Sequence, residues 1–290
     1  MPEPLNVEEH WIKTYEENVR LVAQQKESVL RSCVMEEPME GELHFFDSYG
    51  TAEMAPIESR FQSTGRTPIP HERRMVGSTP YFFNEFVDPR DIKRILTDPS
   101  RRYTQVAAAA SNRQIDNIII AAFETTVYLG KEGTGGTVDF DTNNTIAAGT
   151  AGLTVSKLIE AKMLLDDYEV EDEDRFITVT PTALGTLLEE TRATSKDFAA
   201  VQALVYGEVD QFMGFTFKRC ARPGLKTSAT VHTCYFWQKM GMGLAVAEEP
   251  TGRVDQRPDL SYATQVWLDL DMGAVRLEEA RVGKILAYIA

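Results

Sequence analysis

Residues 98–123 read DPSRRYTQVAAAASNRQIDNIIIAAF, and their spacing decides the fold. From Ser100 to Leu129 the chain has neither glycine nor proline. Tyr103, Val106, Ala107, Ala110, Gln114, Ile115, Ile118, Ile119, Ala122, Phe123, Thr126 and Val127 recur every three or four residues. That stripe is the buried face of an amphipathic helix. Asp98 caps its start with Pro99 at the first helical position, and Gly130 stands where it should stop. Over 99–129, at 1.5 Å per residue, the helix is roughly 45 Å long, a spine for the whole molecule. Asp88, Pro89 and Asp91 repeat the same start signal for a shorter helix just before it.

Upstream of the spine, residues 43–87 change character. HFFDSYG (44–50) and YFFNEFV (81–87) are aromatic and extended, with Pro56, Pro68, Pro70, Pro80, Gly65 and Gly77 as punctuation. They read as two long strands joined by ESRFQSTGRTPIPHERRM (58–75), which has too few apolar residues to build a core and should project as a hairpin arm. Further upstream, Val7, Trp11, Tyr15, Val19, Val22, Lys26, Val29, Leu30 and Cys33 keep helical spacing until Pro38 and Gly41 break it. A helix there has little of its own chain nearby to cover the stripe.

Downstream, KEGTGGTVDFDTNNTIAAGTAG (131–152) reads as a loop or loose hairpin. Beyond it the chain alternates: a helix over Thr154–Tyr168, a strand over Arg175–Thr180 and a helix over Pro181–Arg192. Strands follow at Phe212–Arg219, Thr230–Trp237 and Gly243–Ala247, then TQVWLDLDM and GKILAYI. This half predicts a compact α/β domain with its own core.

The chain has 290 residues, 43% hydrophobic and 26% charged, which excludes disordered, collagen-like and disulfide-scaffold classes. Its most apolar stretch, Ile118–Phe123, is far below the ~18 residues needed to span a bilayer, and MPEPLNVEEHW lacks the basic start and apolar core of a secretory signal. A cytosolic product with no membrane partner is expected. Cys33, Cys220 and Cys234 are scattered and odd in number, as small buried thiols are.

There are 30 basic and 44 acidic side chains, net −14, a sign that repels phosphate backbones and argues against sequence-specific DNA binding. Residues 58–113 stand apart, with 10 basic and 6 acidic groups between an acidic block before (4 against 12) and one after (3 against 13). A basic band between acidic blocks suggests segments that meet, within or between chains.

Catalytic motifs are absent. HERRM lacks the second histidine of a zinc helix, and Lys131 precedes every glycine of KEGTGG where a phosphate loop needs it after the last. DDYEVEDED (166–174) has seven carboxylates in nine positions without the ligand alternation or central glycine of a calcium loop, so it reads as a solvated acidic turn. No metal, cofactor or catalytic residue is assigned, and no enzyme activity is expected.

The order of these parts resembles the major capsid (coat) proteins of tailed bacteriophages, a fold shared with encapsulin shells. The resemblance covers nearly the whole chain and rests on DPSRRYTQVAAAASNRQIDNIIIAAF, RFITVTPTALGTLLEE (175–190), GEVDQFMGFTFKRC (207–220) and SYATQVWLDLDMGAVRLEEARVGKILA (261–287). It implies an α+β fold with an N-terminal arm over 1–42 and an extended loop over 43–87. A peripheral domain with the spine helix 99–129 would cover 88–153, an α/β axial domain 154–255, and closing strands 256–290. It implies hexamers and pentamers of an icosahedral shell around double-stranded DNA, assembled in the host cytoplasm, with a portal protein at one vertex and room for a decoration protein.

In this family the extended loop lies over a neighbouring subunit, which gives Arg60, Arg66, Arg73 and Arg74 carboxylates of an adjacent chain as partners. Trp11, Tyr15, Phe61, Arg101 and Arg102 complete the implied inter-subunit contact set. Some members weld subunits through a lysine of the extended loop. Here no lysine occurs between Lys26 and Lys93, so no such crosslink is expected. About forty residues precede the loop, so a separate scaffolding protein is expected. A shell lining that repels DNA would let a packaged genome slide. The alternatives are an encapsulin-type shell around protein cargo and an acidic metal-dependent hydrolase using Asp166–Asp174.

Overall fold

The computed structural model describes residues 25, 27–57, 59, 60, 63, 65–90, 100–189 and 210–289. In chain order these contain β1 (Met35–Pro38), β2 (Leu43–Tyr49), β3 (His71–Gly77), β4 (Thr79–Val87), α1 (Ser100–Ala122), β5 (Val127–Leu129), β6 (Thr137–Val138), β7 (Thr145–Ile146) and α2 (Val155–Asp167). There follow β8 (Arg175–Val179), α3 (Pro181–Glu189), β9 (Gln211–Phe212), β10 (Phe215–Arg219), β11 (Val231–Gln238), β12 (Met242–Arg257), β13 (Ala263–Arg276) and β14 (Val282–Tyr288). The fold is mixed α+β.

The spine is shorter than its apolar stripe suggests. α1 ends at Ala122, about 35 Å from its start. The backbone tightens there, Phe123 N donating to Ile120 O and Thr125 Oγ1 to Ala121 O. Thr125, Thr126 and Val127 are β-branched and suit a strand better than a helix, and β5 follows at once. Gly130 is therefore no helix stop. Its φ of +87° opens the turn between β5 and β6, and its N–H bonds to Arg73 O.

Three sheets surround the spine. The first, in order β1-β12-β13-β4, lays Leu244, Leu270 and Met272 against Ile115 and Ile119 of α1. The second, β7-β14-β11-β8-β10-β9, is mixed, and α2 and α3 share its core through Leu158, Leu165, Leu184 and Leu187. A two-residue turn at Met213 (φ +54°) and Gly214 (φ +85°) joins β9 to β10, so Phe212–Arg219 is a tight hairpin instead of the single strand expected. Thr154 caps α2 through its hydroxyl, which accepts from Lys157 N, and Tyr168 ends it, close to the expected bounds. The buried Lys157 ammonium donates to the carbonyls of Ala148, Ala151, Gly152 and Leu286 at 2.8–3.0 Å and pins that loop to β14. The third sheet, β2-β3-β5-β6, is the root of the arm.

Two expectations are corrected here. HFFDSYG does not pair with YFFNEFV. β2 pairs with β3, which is HERRMVG itself, and β4 runs the length of β13 from Thr79–Met272 to Val87–Thr264. The alternation of HERRMVG, with Arg74 and Val76 inward, was masked by its charges. The helical stripe expected up to Cys33 also fails at its end. Residues 31–33 form one 3-10 turn, and Met35–Pro38 is a strand parallel to β12. The reason is Asp116, fully buried on α1. It accepts from Ser28 Oγ (2.7 Å), Val29 N (3.1 Å) and Leu30 N (3.1 Å), which diverts the amides a helix would use. Trp237 Nε1 takes the Cys33 carbonyl at 2.8 Å. The rest of that stripe, Val7–Val22, lies outside the described residues.

One buried cluster ties arm root, spine and C-terminal strands together. Glu279 receives both Arg74 (2.9 and 2.5 Å) and Arg276 (3.0 Å), while Arg74 also donates to the Arg276 carbonyl and Glu72. Arg276 is fully buried and donates to Phe123 O (2.5 Å), just past the end of α1, where a cation is favoured by the helix dipole. Its guanidinium also lies over the Phe140 ring. Burial pushes the Glu279 carboxyl up, but Arg74 and Arg276 outweigh it and hold it below the ordinary carboxylate value.

The fold yields two predictions. Asp116→Ala strands two buried amides and should lower unfolding free energy by about 2–4 kcal/mol in denaturant titration, with Asp116→Asn milder. A change under ~0.5 kcal/mol would show that Asp116 is no anchor. Because the native Glu279 pKa lies below the unfolded value of about 4.3, its stabilisation is complete above that value and disappears as pH falls through the native one. Glu279→Gln, leaving the buried Arg276 uncompensated and Arg74 with Glu72 alone, should cost roughly 3–5 kcal/mol at pH 7 and flatten this acid limb. A variant with the wild-type stability–pH curve would remove Glu279 from the account.

Candidate assembly surfaces

The arm begins where β2 and β3 run out of core. Below Tyr49 and His71, Phe46 and Val76 are buried with Met39, Ala245 and Val275. Gly273 allows the close crossing, since a Cβ there would lie 2.2 Å from Gly77 O. At the top of the stem Tyr49 and His71 meet edge to face, and Gly50 N bonds to Pro70 O at 2.9 Å. Beyond that, every described residue from 51 to 70 is exposed and none belongs to a strand or helix. Met54 and Ile57 are 99% and 87% exposed, and Ile69 is exposed too. Apolar side chains held out on a firmly rooted loop, with no cover from their own chain, make a surface suited to a partner.

The expected contact residues divide into groups. Arg60 and Arg66 are exposed on the arm. Arg73 sits on the stem and pairs bidentately with Asp47 of the same chain at 2.5 and 2.7 Å, which lowers the Asp47 pKa and raises that of Arg73. Arg74 is buried and engaged with Glu72 and Glu279, so its carboxylates also lie within the chain. Arg102 is half-buried in the first turn of α1. Trp11, Tyr15, Phe61 and the Arg101 side chain lie outside the described residues.

Other apolar groups face solvent in patches. On β4, an edge strand, Tyr81, Phe82 and Phe86 are exposed, and Phe82 stacks on Trp267 of β13 with centroids 4.9 Å apart. A groove of about 170 Å³ runs between this strand and α1, lined by Tyr81, Phe83, Ala110, Gln114, Leu268 and Leu270. Ile159 and Met163, one turn apart on α2, are exposed with Tyr168.

The acidic turn is tied down by arginines. Arg175, buried, pairs with Asp166 (2.6 Å) and Asp172 (3.1 Å), and Arg281 pairs with Glu171 and Glu278. Among the described residues no group of three His, Cys, Asp or Glu side chains is arranged to hold a metal ion. No helix among them is long and apolar enough to cross a membrane. All three cysteines are buried free thiols, and burial pushes Cys220 up to about 11 and Cys234 to about 12.

Asp116, Arg276, Glu279 and the Phe82–Trp267 pair were not singled out from sequence. Arg276 had a signal: it shares the inward register of β13 with Val266, Leu268, Leu270 and Met272, where a charge needs buried partners. Asp116, between Ile115 and Ile119, had the same one.

The family model described as phage capsid protein matches residues 7–288. Among solved structures, the capsid of Cyanophage P-SCSP1u is similar at TM-score 0.71 and 18% identity, covering 99% of this chain and 95% of that one. The Cyanophage Pam1 capsid is similar at TM-score 0.72 and 12% identity (96% of each chain). The capsid of Ralstonia phage GP4 has TM-score 0.72 and 11% identity (96% and 95%). None of the curated proteins matches the chain by sequence. At these identities the structures speak for the fold, while the family model spans nearly every residue. The fold is thus the one these capsid structures share, and the chain belongs to the phage capsid protein family.

Proposed function

We propose that this protein assembles with copies of itself into hexamers and pentamers of an icosahedral shell enclosing double-stranded DNA. The observation that carries the reading is the arm over residues 50–70, apolar at Met54, Ile57 and Ile69, exposed throughout its described length and anchored by the Arg74–Glu279–Arg276 cluster. Such an arm gains nothing in an isolated chain and gains apolar burial when a neighbour covers it, at about 25 cal/mol per Å².

On this reading residues 1–42 form an N-terminal arm, 43–87 the extended loop, 88–153 the peripheral domain, 154–255 the axial domain and 256–290 the closing strands. A separate scaffolding protein guides assembly in the host cytoplasm, a portal protein occupies one vertex, and a decoration protein is an optional outer partner. DNA is enclosed without a specific site, in keeping with the net charge of −14. Individual exposed ion pairs contribute only ~0–1 kcal/mol, so area repeated around each ring must hold the shell.

Sedimentation and negative-stain microscopy of the purified protein, with and without a co-expressed scaffolding partner, test this. Closed shells or capsomer rings are expected. A monomer that never assembles under either condition would refute self-assembly, and shells that carry protein cargo in place of DNA would favour the encapsulin-type reading. With no lysine between Lys26 and Lys93, assembled shells should run as monomer on a denaturing gel. A ladder of covalent multimers would contradict the absence of isopeptide crosslinks.

A further inference from the structure

Of the 290 residues 44 are Asp or Glu, yet residues 211–247 contain none. The same stretch carries Lys218, Arg219, Arg222, Lys226 and Lys239. The gap extends in space, because no strand of the sheet β7-β14-β11-β8-β10-β9 contains an acidic residue. Four of the cations stand close together beside α1. Lys218 and Lys239 both act electrostatically on the Cys33 thiol, and Arg222 bonds to the Cys220 thiol. Cys33 and Cys220 share one core cluster with Ile119 and Ile120 of α1, and the buried Asp116 acts on both. Arg222 and Lys226 bracket a single 3-10 turn, where Leu225 N donates to Arg222 O and Lys226 N to Pro223 O. That turn is seated closely on α1, since a Cβ on Gly224 would lie 2.9 Å from Ile120 Cγ2. Lys226 is exposed, and Lys218, Arg222 and Lys239 are half-buried.

Among the described residues none of these four forms an ion pair. Lys218 lies over the Phe176 ring at 5.8 Å, and Lys239 meets Asp174 backbone to backbone. Glu124, the acid at this end of α1, already accepts from Tyr235 Oη and Lys284 Nζ. An outside polyanion therefore meets positive charge here without a local carboxylate to repel it. A polymer of evenly spaced phosphates suits such a row better than a single carboxylate does, since duplex DNA carries one charge per ~1.7 Å of axis. The net charge of −14 opposes the approach at long range, but beyond about 8 Å it is largely screened.

We propose that Lys218, Arg222, Lys226 and Lys239 hold the phosphate backbone of the enclosed DNA, a contact repeated by every copy. The inference rests on the shell reading above, names where its lining touches the genome, and puts this face on the inner side. Backbone contacts read no bases, so the site has no sequence preference and lets the genome shift along it.

Fluorescence anisotropy of a labelled random-sequence duplex, titrated with the full-length protein at about 50–200 mM salt, tests the patch. Unrelated sequences should bind equally, and four neutralised phosphates give a log–log salt slope of about −3.6. Lys218→Gln, Arg222→Gln, Lys226→Gln and Lys239→Gln together should weaken binding about tenfold or more and flatten that slope. Lys218→Arg with Lys239→Arg keeps the charge and should bind as wild type, as should Arg60→Gln with Arg66→Gln on the arm. Near-UV circular dichroism checks the fold of each variant. In DNA-filled shells the three lysines should react with acetic anhydride more slowly than in emptied ones. A wild-type protein that binds no duplex, a quadruple variant with the wild-type slope, or lysines equally reactive in filled and emptied shells would overturn the contact while leaving the shell reading intact. Binding that appears only once residues 1–24, with their five glutamates, are removed would assign the patch to that segment and also overturn it. A wild-type protein that never assembles would instead sink the shell reading itself.

Discussion

Glu279 is the carboxylate on which the architecture turns. It lies between two nearly buried guanidiniums, one from the arm stem and one from the long strand under the spine. Without it Arg276 would have no carboxylate and Arg74 only Glu72, and desolvating an unpaired charge costs several kcal/mol. Once paired, Arg276 is free to satisfy the carbonyl just past the end of α1, and Arg74 to bond the Arg276 backbone. Arm, spine and C-terminal strands are therefore held at one point by contacts that differ widely in sequence position. A buried ion cluster is weak evidence for net stability, since apolar residues of equal volume often do as well. What it supplies here is direction, because a bidentate pair fixes orientation as an apolar contact does not.

That rigidity matters because the arm itself has no core. Every described residue from 51 to 70 is exposed, so burial within the chain does not hold those residues beyond the stem. The stem sets where the arm leaves the body, through the crossing at Gly273 and Gly77 and the buried Phe46 and Val76. Within the last two turns of the same helix, Asp116 holds the backbone of residues 28–30 in a similar way. The arm is thus fixed at its root by buried charges, and its described residues beyond that root are exposed. A monomer of this kind is complete in its body and incomplete at its periphery.

Much of this was legible in the sequence, for physical reasons that also explain the failures. α2, β8 and α3 follow from periodicity and Thr154 and Pro181 as start signals, because each is amphipathic or apolar in the expected period. The spine's existence was clear, but its end was not, since the apolar spacing runs on through Phe123–Val127 while the β-branched residues there change the backbone to strand. The partner of β2 was misread because HERRMVG shows charge where its inward positions, Arg74 and Val76, carry one buried ion pair and one apolar side chain. Periodicity reports which side is buried, and it is blind to a buried arginine. Long-range pairing of β4 with β13, almost two hundred residues apart, is a tertiary choice that no local signal announces.

The net charge of −14 sets a constraint on any association of identical copies. Gathering such chains raises their mutual repulsion, and the summed field opposes assembly at low salt. At physiological ionic strength, however, the Debye length is about 8 Å, so distant charges are largely screened and contacts inside that distance decide. The chain then needs positive charge only where it touches a neighbour. It has it in that form: Arg60 and Arg66 stand out on the arm, ahead of the acidic body, while Arg73, Arg74, Arg175, Arg276 and Arg281 are already committed to carboxylates at home. Within that distance the outcome of any contact between copies depends on the few charges that meet there and not on the net charge of the chain.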